Sequence, residues 1–156
     1  MTECIDASII IKWFHKGEAF DAESHILLDN IIELEHDFVV NEWVLLELVR
    51  ALVKAGYPKQ KVNNAFDEIF EMMNIGALRK IPVLDVLHMA KSLELNYSLY
   101  AADAVHIATA IHTNASILWT EDHHMQKESL KELFKNHLIE VRSLRGISKI
   151  ESFHDM

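Results

Sequence analysis

Residues 119–125 read "WTEDHHM", which puts two carboxylates, two histidines and a threonine hydroxyl into seven positions. That chemistry suits a metal site, a helix cap or a solvated turn. Three further acidic residues stand at positions of similar character. Asp6 closes the short apolar run "ECID", Glu47 lies in "NEWVLLELVRAL", and Asp103 lies in "LYAADAVHIATAI". Each has an ordinary use. Asp6 and Asp122 can cap the helices that follow them, since a side-chain oxygen there satisfies free backbone N–H groups, and Ser8 can cap in place of Asp6. Asp103 falls in a first helical turn, where the helix dipole favours an anion. Glu47 shares a narrow polar stripe with Arg50 and Lys54, so it can pair with Arg50 on the surface.

Taken together the four carry more weight. Asp6 and Asp122 sit at or just past strand ends, and Glu47 and Asp103 sit on helices expected to flank the same sheet edge. Independent caps need not converge on one edge. A covered carboxylate needs a partner or a metal. Oxygen donors suit Mg²⁺ or Mn²⁺ rather than zinc. His123 and His124 lack the spaced-ligand pattern of a zinc site and are expected to be bystanders facing solvent. The single cysteine, Cys4, excludes an internal disulfide and a multi-cysteine zinc site, and it fits the cytoplasm.

The elements that must position these residues follow from periodicity. Short apolar runs predict strands at 3–6, 37–40, 80–83, 116–120 and 138–141. Helical patterns fill roughly 8–16, 20–35, 42–56, 58–74, 84–95, 100–113 and 123–135. Gly56 and Pro58 separate two helices, and "NIG" at 74–76 stops another. The alternation predicts an α/β three-layer sandwich around a mainly parallel five-stranded sheet with about seven helices. In such folds ligands bind beyond the carboxyl ends of the strands, where strand order reverses.

The chain has 156 residues, enough for one domain with its own core, and half of them are apolar. No apolar run approaches a membrane span, and the first ten residues lack the basic region of a signal peptide. The net charge of −9 argues against coating nucleic acid by bulk electrostatics, though not against meeting it through divalent cations.

The four acidic stretches resemble those of the PIN-domain ribonucleases, most of all the VapC-type toxins. The resemblance rests on "IDAS" with Asp6 and Ser8, "EWVLLELVRAL" with Glu47, "YAADAVHIATA" with Asp103, and "LWTED" with Thr120 and Asp122. It covers about 3–141, so the PIN-like nuclease domain is expected over 1–141, and the tail 142–156 has no counterpart. The resemblance implies a sheet order of 3-2-1-4-5, Mg²⁺ or Mn²⁺ held by Asp6, Glu47, Asp103 and Asp122, and cleavage of single-stranded or loop RNA. Ser8 and Thr120 would orient the carboxylates or water. Lys12, Arg50 and Lys54 would meet flanking phosphates. Trp13 and Trp43 can stack bases, although core packing suits both. VapC-type relatives form two-fold dimers silenced by a small antitoxin that enters the acidic site. Surplus apolar side chains in "IIIKWF", the 20–35 helix and "AFDEIFEMM" fit self-association. Two alternatives are a PIN-fold RNA-binding or scaffolding protein without cleavage, and a processing nuclease outside toxin–antitoxin systems. DNA in place of RNA also remains open.

Overall fold

The computed structural model describes residues 1–147 apart from 18 and 34–35. Most of the tail at 142–156 therefore lies outside the described residues, as does the end of the helix expected over 20–35. Strand β1 (Thr2–Ile5) leads into α1 (Ala7–Phe14) and α2 (Asp21–Ile32), then β2 (Asp37–Asn41), α3 (Val44–Lys54) and α4 (Lys59–Asn74). Strand β3 (Arg79–Ile81), α5 (Val83–Tyr97), α6 (Ala101–His112), β4 (Ile117–Trp119), α7 (Glu128–Asn136) and β5 (Glu140–Arg142) complete the order. The sheet runs β3-β2-β1-β4-β5 and every pairing is parallel, as the resemblance implies. Strand order reverses at β1, which lies between β2 and β4. No helix among the described residues is long and apolar enough to cross a membrane.

Side chains alternate across a strand, so this sheet feeds two cores. Ile5, Phe38, Val40, Ile117 and Trp119 face a cluster with residues of α1, α2, α3 and α4. Cys4, Val39 and Leu118 face the opposite cluster, built from α5, α6 and α7. Cys4 pairs in register with Val39 on one side and Leu118 on the other. Its thiol is fully buried, and that burial pushes it well above its ordinary value, which makes it a packing residue rather than a nucleophile. Helix α6 is buried from Asp103 to Ala110 without a break, because its alanines let it lie close against the sheet.

Helix punctuation follows the expected chemistry. Gly56 has φ +86°, and the N–H of Tyr57 reaches back to the carbonyl of Leu52, which closes α3 in a left-handed cap. The last expected helix, 123–135, is instead a single 3-10 turn at His123–Gln126 followed by α7. Asp122 caps the short turn, so the chain bends there.

The apolar surplus lies elsewhere than expected. Ile9, Ile10 and Trp13 of "IIIKWF" are buried, as are Leu27 and Ile31 of α2 and Ile69 and Met73 of α4, while Ile32 and Phe70 stay exposed. The larger exposed group lies on α3 and α5: Trp43, Leu46 and Val53, with Leu84, Leu87 and Leu95. Trp43 joins the two helices, since it lines one hollow with Leu46 and another with Val83, Leu87 and Val105.

Asn41, at the end of β2, fixes α3 against α6. Its amide donates to the Thr109 hydroxyl at 3.1 Å, and its carbonyl accepts the Trp43 N–H at 2.9 Å. Asn41 is fully buried, and its loss leaves the Trp43 N–H without its partner, while the Thr109 hydroxyl keeps its bond to the Val105 carbonyl. Asn41→Ala is expected to lower stability by about 1–3 kcal/mol in urea unfolding. A midpoint unchanged from the parent would refute the clamp.

Candidate functional site

Asp6 stands one residue beyond β1, and its backbone N–H still bonds the Trp119 carbonyl at 3.2 Å. It is the N-cap of α1, in preference to Ser8. Its Oδ1 accepts the Ser8 N–H at 3.0 Å and the Ser8 hydroxyl at 2.5 Å, and its Oδ2 accepts the Thr120 hydroxyl. Both hydroxyls have second partners. Ser8 Oγ accepts the Glu121 N–H at 2.8 Å, and Thr120 Oγ1 accepts the Asp122 N–H at 3.0 Å. The loop after β4 is thereby laced to the start of α1, around a buried carboxylate. Glu121 anchors the following segment, accepting the Leu144 N–H at 2.6 Å.

Asp103 occupies the first turn of α6 and is buried, and Asp122 sits across from it, half-buried. Glu47 turns inward from α3. Its Oε1 lies 2.5 Å from Nε2 of His106, and among the described residues no ion pair joins it to Arg50. The surface pair with Arg50 therefore does not form. His106 is 2 % exposed and follows Asp103 by three residues on the same face of α6. Its place at the site is not among the sequence expectations, although a histidine on an otherwise apolar helix was the available signal.

Electrostatics tie the group together. Burial pushes Asp6 above the usual carboxylate range, and nearby Glu47 adds to this, while His106 and the two hydroxyls oppose it. Asp103 is pushed up to about 6 by burial and then by the neighbouring charge of Asp122. Burial alone pulls His106 down. The hydrogen bond and charge of Glu47, with the charges of Asp6 and Asp103, together outweigh it and leave the imidazole above its ordinary value. His106 is thus in electrostatic reach of three of the four carboxylates.

One ligand atom each from Asp103, Asp122 and His124 lies within 4.8 Å of the others. Donors that close to one another can share one hard cation, which holds each at about 2.0–2.6 Å. The donor set, with Asp103 raised by burial and by the charge of Asp122, fits a divalent ion. His124, expected to be a bystander, has its Nδ1 3.1 Å from Asp122 Oδ1, with the Tyr100 ring 5.8 Å away between centroids. His123 is exposed.

Among the basic candidates, Arg50 and Lys54 are exposed on α3. Lys12 is buried, and its ammonium donates to the Ala19 carbonyl at 2.8 Å. Trp13 belongs to the core, its Nε1–H donating to the Ser24 carbonyl at 2.7 Å. Trp43, 39 % exposed, departs from the packing role expected of it.

The shifts of Asp6, Asp103 and His106 share one sign. Each group holds its proton more tightly folded than unfolded, so the folded state binds more protons above the ordinary carboxylate range. Stability of the metal-free protein is expected to fall as pH rises from about 4 through 6 and beyond, by up to about 1.4 kcal/mol per pH unit per group. Asp103→Asn should flatten this slope in thermal melts run without divalent ions. A rise in stability over the same range would contradict the assignment.

No characterised protein sequence matches the chain. Solved structures do resemble it in fold. The Mycobacterium tuberculosis toxin VapC20, described as cleaving the sarcin–ricin loop, superposes with a TM-score of 0.64 at 13 % identity, covering 80 % of this chain and 92 % of its own. VapBC2 from Rickettsia felis, solved on a DNA fragment from its promoter, gives 0.56 at 19 % identity, with 92 % and 98 % covered. FitAcB from Neisseria gonorrhoeae gives 0.55 at 18 % identity, with 91 % and 97 % covered. The PIN domain model matches residues 4–128, from the first strand to the start of the last helix, and the chain belongs to the PIN-domain family.

Proposed function

We propose that this protein is a metal-dependent endoribonuclease and the toxin of a toxin–antitoxin pair. The observation that carries the reading is the Asp103–Asp122–His124 group, joined through Thr120 to the buried Asp6 where strand order reverses in a PIN fold. Family membership and structural likeness to VapC20 and the VapBC2 and FitAcB assemblies support it.

In this reading Asp6, Glu47, Asp103 and Asp122 hold one or two Mg²⁺ or Mn²⁺ ions. Bound there, such an ion polarises a phosphate oxygen and makes a water more acidic. The chain's own contribution is placement. Ser8 and Thr120 hold the Asp6 carboxylate in one orientation. Arg50 and Lys54 offer charge to the phosphates flanking the cut, a role that the internal bond of Lys12 denies to that residue. Trp43 offers a partly exposed ring for a base to stack upon.

The net charge of −9 suits a basic protein partner better than a long RNA. An antitoxin arginine or lysine entering the carboxylate cluster would occupy the cation's place with a charge-assisted hydrogen bond. The exposed apolar side chains of α3 and α5 supply a surface for a second copy of the chain.

Purified protein incubated with total RNA is expected to cut it in Mg²⁺ or Mn²⁺ and not in EDTA. Asp103→Asn should slow cutting by two orders of magnitude or more while the fold survives. Undiminished cutting in EDTA or in that variant would exclude the mechanism, and preferential cutting of DNA would exclude the substrate. Expression without an antitoxin should arrest growth, and Asp6→Asn should relieve the arrest. Light scattering should give twice the 18.0 kDa chain mass, and Leu87→Glu should return a monomer. A wild-type monomer would refute the dimer and leave the nuclease standing.

A further inference from the structure

A contact of 2.5 Å between His106 and Glu47 links α6 to α3. Helix α6 is otherwise built from residues that pack without polar demands. Between the buried Asp103 and Thr109, positions 104, 105, 107 and 108 carry alanine, valine or isoleucine, and position 106 carries an imidazole instead. The imidazole is not fully satisfied. Its Nδ1 is buried and has no hydrogen-bond partner among the described residues. An unpaired buried nitrogen costs stability. A histidine kept at that cost points to what its other nitrogen does.

Nε2–H donates to Oε1 of Glu47. The Glu47 side chain is 27 % exposed and sits on a helix surface, where a free glutamate samples many rotamers. One oxygen is held from behind, and the hydrogen bonds of the described residues leave the second, Oε2, available. We infer that His106 is a positioning residue, which restrains Glu47 from within α6 so that its free oxygen has less disorder to lose when a divalent ion binds. Partners that orient a metal-binding side chain commonly contribute about 10–100-fold in affinity. This inference rests on the metal-site reading above and adds a residue to it that touches neither metal nor RNA.

The reach of the side chain gives the test. A glutamine amide nitrogen extends about as far as Nε2 of histidine, whereas an asparagine amide nitrogen stops near Nδ1. The geometry then separates a donor role from simple filling of space. Mn²⁺ binding to the full chain, followed by electron paramagnetic resonance of the free ion, is compared for wild type, His106→Gln, His106→Asn, Glu47→Gln and the Glu47→Gln/His106→Asn double variant. Melting curves confirm that each is folded. His106→Gln should bind Mn²⁺ within about threefold of wild type, and His106→Asn should lose on the order of tenfold. The double variant should lose no more than Glu47→Gln alone, because His106 acts through Glu47.

Equal affinity in His106→Asn and wild type would overturn the inference, as would losses that simply multiply in the double variant. Failure of the wild type to bind Mn²⁺ would overturn the metal-site reading itself and this inference with it. If His106→Asn does not fold, the contact is read from the other side in the metal-free protein. The His106 Nε2–H proton should resonate far downfield in wild type and lose that position in Glu47→Ala. An unshifted proton would overturn the inference.

Discussion

Gathering carboxylates at one sheet edge is the constraint on which the rest of this structure depends. Charges of one sign repel, and burial adds to the cost of each. Asp6 and Asp103 are both buried and both hold their protons above the usual range. A chain selected for stability alone would not place them there. The parallel sheet makes the gathering possible. Its strand order reverses at β1, so the chain leaves β1 and β4 side by side with their carboxyl ends open. Asp6 and Asp122 come from those two exits, Asp103 from the first turn of α6, and Glu47 from α3.

Local partners offset the cost in different ways around the site. Asp6 is oriented by two hydroxyls and a backbone N–H, with the charge of His106 acting on it from α6. His106 answers for Glu47 from within α6. Asp103 and Asp122 face each other with His124 beside them. The Asp103–Asp122 pair is where two carboxylates lie within one cation's reach of each other. An added positive charge there, from a metal ion or a basic side chain of a partner, would act on both.

Much of this was legible in the sequence. Alternating short apolar runs and helical stretches set out the layers, because a buried strand and an amphipathic helix leave different periods. The four acidic candidates stood out because each broke an apolar pattern or followed a strand. What was not legible depended on distance across the fold. In the sequence Glu47 reads either as a partner of Arg50, one helical turn away, or as a site carboxylate, and neither reading displays the imidazole that α6 brings to it. Trp43 reads as core, yet it bridges hollows between α3 and α5. The helix expected from 123 is broken after one turn, where the Asp122 cap and Lys127 redirect the chain. His124 reads as a bystander, and that turn carries its ring back to Asp122.

On the proposed function, the carboxylates are tolerated in one place because a divalent cation neutralises them there. Crystals of the protein grown with Mn²⁺ and measured at the manganese absorption edge address this most directly. The account predicts an anomalous peak in bonding reach of the Asp103 and Asp122 carboxylates. Anomalous density confined to other parts of the surface, with those two carboxylates left unbridged, would contradict it.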